Sequence, residues 1–332
     1  MNRNVREILR TGCALAFLAG SLACATSQPV APGEHVAQSR VYWRSTANDR
    51  LDRFAPLFVI DRADLAHNRI GTPRGRLTES GQEEIYVDPD RATVFVQEIP
   101  FETARGSYTN LVYRVHFSGS PFRWSPFNPG AGRNVGLMTV ITLDEHDRPV
   151  LVNTVHTCGC YHAIVPTEHL DSALYPEGWA LDGVDVYGER LPGLLRVGSA
   201  PHSRVAVWVR DDVHRVRDLT VEDTERVALQ NAPAPLASRP MEALRELPLG
   251  DGDPTSFYYE EGRRRGLVKG AFKPWETLLF GLWIRDFHVG HDREYTSADD
   301  GALFYTTLDP RKKTVSDMWD YAQFLELNGW RL

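Results

Sequence analysis

Two histidines and two cysteines alternate within nine residues of this 332-residue chain, Thr154-Val155-His156-Thr157-Cys158-Gly159-Cys160-Tyr161-His162. Thiolate and imidazole donors suit soft and borderline ions such as Cu⁺ and Zn²⁺, whereas Ca²⁺ and Mg²⁺ take oxygen ligands. On an extended strand, residues two apart share a face, so this spacing sends all four side chains to one side. Six steps of about 3.3 Å put the Cα atoms of His156 and His162 about 20 Å apart on a straight strand, too far for one ion. Either the chain bends at Gly159, the one residue of the motif free of Cβ restrictions, or only two or three of the four share an ion with ligands from elsewhere.

The two cysteines have a second chemistry. A Cys158–Cys160 disulfide would close a very small loop, strained and easily reduced, which fits a redox-active pair. A third reading gives the histidines and cysteines no chemistry at all. The stretch lacks the Cys-x-x-Cys-His of haem attachment and the paired Cys-x-x-Cys knuckles of common zinc modules. Over three residues it resembles the Cu⁺-binding pair of some copper chaperones, which implies copper as the ion, with zinc as the alternative.

A second cluster, Asp286-Phe287-His288-Val289-Gly290-His291-Asp292, follows an apolar segment. If a helix continued through it, His288 and His291 would sit at i and i+3 and could chelate an ion. Folded against the cysteines, it would add an imidazole and a supporting Asp292 carboxylate to the first site. Gly290 instead marks a helix end, where histidines are ordinary partners of the helix dipole. There is no Gly-x-Ser-x-Gly elbow, phosphate-cradling glycine loop or His-Glu-x-x-His. A net charge of −7 disfavours nucleic acid and anionic lipid.

The first residues bear on the cysteines. Arg3, Arg6 and Arg10 precede the uncharged run Thr11–Ala25, rich in Ala and Leu, which is the layout of a signal peptide over residues 1–23. It is too short to span a bilayer, and no later run is long and apolar enough, so no transmembrane helix is expected. Ala23-Cys24-Ala25 fits a peptidase site. Leu22-Ala23-Cys24 resembles a bacterial lipobox, with Ser21 where Leu is usual, which makes Cys24 a lipidation candidate. Residues 24–39, with Pro29, Pro32 and Gly33, read as a flexible tether. An exported protein faces an oxidising compartment, periplasmic or at the cell surface. There Cys158 and Cys160 must be bonded, metal-bound or shielded.

The elements that position these residues are strands first. Period-two alternation marks Val94–Ile99, then Leu111, Tyr113, Val115 and Phe117 on one face against Arg114, His116 and Ser118 on the other. Val135–Leu143 and Val150–Thr157 read as a hairpin around Asp144–Pro149. Pairing Leu143 with Val150 sets Ile141 opposite Val152, Leu137 opposite His156 and Val135 opposite Cys158. Val205–Val209 gives another strand, Thr220–Gln230 a helix, and residues 231–240 a proline-alanine connector. Trp275, Leu278, Leu279, Leu282 and Trp283 keep helical spacing after Pro274, and that helix is expected to pack between the sheet and a loop. A last helix is expected from about Thr314 to Leu327, ended by Gly329.

The expected architecture is α+β: a largely antiparallel sheet over residues 93–210, covered by helices from the C-terminal third. Residues 40–332 form one large domain, with a sub-boundary at 231–240. Three functions fit these residues. One is an exported thiolate-imidazole metal protein, which could do oxidative chemistry if a coordination position stays open. The second is a metal-free thiol-disulfide protein using Cys158 and Cys160. The third is a non-enzymatic surface lipoprotein, binding a partner or ligand through its aromatic loop Phe122–Phe127.

Overall fold

Strands carry most of the regular structure. In the computed structural model, residues 39–44, 49–124, 127–198, 202–250 and 253–332 are described, and Cys24 with the rest of residues 1–38 lies outside them. The chain opens with β1 (Arg40–Trp43), α1 (Arg50–Arg53), β2 (Leu57–Ile60), β3 (Thr72–Leu77) and β4 (Glu83–Asp88). Next come the long strands β5 (Thr93–Thr103), β6 (Gly106–Ser120), β7 (Gly132–Leu143), β8 (Pro149–His156) and β9 (Ala163–Pro166). Then follow β10 (Val184–Val186), β11 (Glu189–Leu191), β12 (Ser203–Val209), β13 (Val216–Asp223), α2 (Thr224–Gln230), β14 (Ala232–Pro235) and β15 (Ala237–Pro240).

β15-β5-β6-β7-β8-β9 form a six-stranded sheet and β13-β12-β2-β1-β14 a five-stranded one, with β3-β4 and β10-β11 as separate ribbons. The alternation read in β6 holds on one face: Leu111, Tyr113, Val115 and Phe117 are buried against Phe58, Ile60, Val205 and Val207 of the five-stranded sheet. The opposite face, with Arg114 and His116, is buried too, because Phe257, Tyr295, Phe304, Met318 and Phe324 from the C-terminal third cover it. That is why β7 and β8 read as nearly continuous apolar runs.

The α+β expectation is wrong. The chain is 40% strand and 16% helix, in several sheets with few short helices. Among the described residues the helical elements after β15 are only α3 (Pro274–Glu276), a π turn over Thr277–Gly281, α4 (Leu282–Ile284), α5 (Tyr321–Leu327) and 3₁₀ turns. Gly262, Gly266, Gly270 and Gly290 all take positive φ there, which stops any helix at each of them. Segment 241–320 therefore covers the sheet with irregular loops that each contribute one or two aromatics. The last helix is also shorter than expected, capped by Asp320 at the Gln323 amide and ended at Gly329 with φ 84°.

Segment 274–284 departs from expectation in orientation as well. Pro274 sits at its first position as expected, yet Leu278 and Leu282 are 59% and 65% exposed, with Leu279 and Phe280 beside them. The helix does not bury this side between sheet and loop. Trp275 instead closes an aromatic cluster with Phe122, Trp124 and Phe127.

Candidate functional site

The histidine-cysteine stretch is a hairpin tip, not a straight strand. β8 ends at His156 and the chain returns as β9, pairing Thr154 with Ala163. Between them the Gly159 amide donates to the His156 carbonyl (2.7 Å) and the His156 amide to the Cys160 carbonyl (2.9 Å). The bend falls at Gly159, whose φ of 85° and contact with the Tyr305 carbonyl leave no room for a Cβ. In the β7–β8 register Ile141 faces Val152 and Leu137 faces His156, as expected. A shift near the turn pairs Leu143 with Pro149 instead of Val150, and Cys158 lies past the last ladder pair. The Thr157 amide still donates to the Gly136 carbonyl (2.9 Å).

Cys158 and Cys160 are joined by a disulfide with Cα atoms 5.6 Å apart. Cys158 is buried and Cys160 half-buried, and Cys160 lines a narrow pocket with His156, Tyr161, Lys273 and Glu276. The donor atoms of His156, Cys158 and Cys160 lie within 4.8 Å of one another, the only such trio of His, Cys, Asp or Glu among the described residues. Two ligands bound to one ion at about 2.3 Å are at most about 4.6 Å apart, so only a shift of a few tenths of an ångström, with reduction of the sulfurs, brings this trio to a single metal.

The two ring nitrogens of His156 are not equivalent. Nε2 lies 2.9 Å from the His214 carbonyl oxygen, which can only accept, so Nε2 carries the proton and the Nδ1 lone pair is free. A ligating histidine held by a backbone carbonyl in this way has a fixed tautomer and ring orientation. Burial, and then the Lys273 ammonium, pull its pKa down to about 4, so the ring is neutral near pH 7. His214 was not singled out from the sequence. A main-chain acceptor leaves no mark in residue type.

His162 is not part of the trio. It stands on the β9 side of the turn against Phe324, ring centroids 5.0 Å apart, and burial alone brings it to about 4. The Asp286–Asp292 cluster does fold against the cysteine turn, but through other atoms than its histidines. The Thr157 hydroxyl donates to the Asp292 carboxylate, which also takes the Gly136 amide (3.3 Å) and pairs with the buried Lys273 ammonium (3.2 Å). Arg293, also missed, donates to the Cys158 carbonyl (2.6 Å), the His288 carbonyl (3.0 Å) and the Tyr305 hydroxyl (2.6 Å), stacking on the Tyr305 ring. His288 and His291 stay together, 5.5 Å between ring centroids, and neither joins the His156-Cys158-Cys160 trio. Asp292 therefore supports the turn, not a metal-binding histidine.

No helix of the described residues is long and apolar enough to cross a membrane. No protein family, curated protein or solved structure matches this chain, so its chemistry has to be taken from its own geometry.

Proposed function

We propose that this is an exported soft-metal protein that takes Cu⁺ between His156 Nδ1 and the thiolates of Cys158 and Cys160 when that pair is reduced. The observation that carries this is the three donor atoms lying within 4.8 Å, on a turn fixed from outside by Arg293 and Asp292. The neutral, carbonyl-anchored His156 is in the protonation state that metal binding needs. Opening the disulfide takes two electrons and two protons, supplied by a dithiol, and each thiol then gives up its proton on binding the ion. Zn²⁺ fits the same donors, and the preference for copper rests on the Cys-x-Cys spacing.

A second reading is favoured by the Cys158–Cys160 bond itself. In thiol-disulfide exchange an incoming thiolate would attack Cys160, the sulfur at the pocket, and Cys158 would leave as the thiolate. Export of residues 1–23, with or without lipid at Cys24, belongs to the proposal on sequence grounds. The mass of the mature N-terminus tests it.

The deciding experiment titrates anaerobic mature protein with Cu⁺ against a competing chelator, reduced and oxidised. One tightly held equivalent in the reduced form alone is expected. Cys158→Ser and Cys160→Ser abolish it, His156→Ala weakens it at least tenfold, and His162→Ala leaves it unchanged. Equal binding by the oxidised form, or equal loss in both histidine variants, overturns the metal reading.

A further inference from the structure

A cavity of about 720 Å³ lies away from both the hairpin tip and the aromatic cluster. It lies along the seam between the two main sheets, where the chain leaves β14, an edge strand of the five-stranded sheet, and enters β15, an edge strand of the six-stranded one. Five arginines line it: Arg40, Arg69, Arg74, Arg91 and Arg239. They come from β1, the loop before β3, β3 itself, the turn before β5, and β15, so no single segment of sequence reveals the cluster. In a chain of net charge −7, this is a marked local reversal of sign.

Their counter-charges are few. Arg69 pairs with Asp90 (3.0 Å), while Arg74 (4.0 Å) and Arg91 (3.8 Å) share Asp88. Arg40 and Arg239 are half-buried, and among the described residues neither has a carboxylate within ion-pair distance. Arg40 stands on β1 and Arg239 on β15, one on each sheet, and the Arg40 guanidinium reaches the buried Tyr42 hydroxyl beside it. A guanidinium is a planar fork suited to two oxygens of one oxyanion. The cavity volume is in the range of small-molecule sites.

We infer that this seam is a binding site for an organic ligand carrying at least two phosphoryl-type oxyanions, one held by Arg40 and one by Arg239. The remaining arginines supply field and the Pro/Ala edges supply apolar wall. Binding joins the two sheets across their seam, so it raises thermal stability as well as giving a binding signal.

The test uses mature protein, calorimetry and thermal melts, with inorganic pyrophosphate as the probe and inorganic phosphate as the single-anion comparison. Saturable one-to-one pyrophosphate binding is expected, at least tenfold tighter than phosphate and weakened at least tenfold by Arg40→Gln or Arg239→Gln. The Cys158→Ser/Cys160→Ser protein binds as the wild type, which separates this site from the hairpin tip. Vesicles with and without phosphatidylglycerol distinguish the source. Vesicle binding that pyrophosphate displaces assigns the ligand to a lipid headgroup, and pyrophosphate binding without vesicle binding assigns it to a free organophosphate. No saturable pyrophosphate binding, or wild-type affinity in both folded arginine variants, overturns the inference.

Discussion

Replacing Gly159 by Ala tests whether the site is held by the chain around it or by the disulfide alone. Two costs add. At φ 85° an L-residue loses about 1–2 kcal/mol relative to glycine. The added Cβ would also fall inside the contact radius of the Tyr305 carbonyl oxygen, with its carbon 3.0 Å away, so Tyr305 must move. Tyr305 is where Arg293 stacks and hydrogen-bonds, so that shift loosens the Arg293 bond to the Cys158 carbonyl, at about 1 kcal/mol for each hydrogen bond lost. The stiffer unfolded chain returns less than about 1 kcal/mol. The expected loss is about 2–3 kcal/mol, read by urea unfolding of the oxidised protein through its tryptophan fluorescence. Gly81→Ala is the internal comparison: φ there is 74° with nothing within 4 Å of the new Cβ, so it loses only the backbone part, about 1 kcal/mol. If the two variants lose the same stability, Tyr305 does not brace the turn and this account of the site fails.

Asp292→Asn removes the charge facing the buried Lys273 and is expected to destabilise by about 3–5 kcal/mol in denaturant unfolding, with Asp292→Asn/Lys273→Met recovering part of the loss. Thr157→Val, which takes the hydroxyl from Asp292, is expected to lose about 1–3 kcal/mol while Thr157→Ser stays near wild type, by thermal melts. Asp286 gives a pH signature. Burial raises its pKa, but hydrogen bonds from Lys313 and Tyr305 prevail and hold it at about 2, below its unfolded value near 4. Its stabilisation is therefore present above pH 4 and lost as pH falls towards 2, and Asp286→Asn should flatten the acid limb of the stability curve there. An unchanged acid limb would show that the Lys313 and Tyr305 contacts do not persist in solution.

The parts of this molecule governed by local periodicity were legible in its sequence. β5 to β8, the Leu111–Phe117 face, most of the β7–β8 register and the bend at Gly159 follow from alternation and from one glycine. What was not legible is what covers those strands. Arg114 and His116 stand opposite the apolar face of an alternating strand, yet both are fully buried, because residues more than a hundred positions later pack over them. Helical spacing in 274–284 did yield helix, but spacing says nothing about whether a partner exists for the apolar side, and Leu278 and Leu282 have none among the described residues. At the site, residue types marked His156, Cys158 and Cys160, which lie together, while regular alternation also included His162, which stands outside that trio because a period of two has no meaning past a turn. The Arg293 and His214 contacts run through backbone carbonyls, which every residue has.

The proline-alanine stretch over residues 231–240 has a consequence for how this protein behaves in a crowd. It is not a bare connector: β14 lies parallel to β1 and β15 parallel to β5, so one short ribbon caps an open edge of each main sheet in turn. Pro233, Pro235 and Pro240 have no amide hydrogen to offer on the outer side, so another chain cannot extend either sheet along this rim. The ribbon thus guards against fibril-like stacking of a chain that is otherwise rich in long, apolar strands. Its removal would turn β1 and β5 into two adhesive margins on the same side of the molecule.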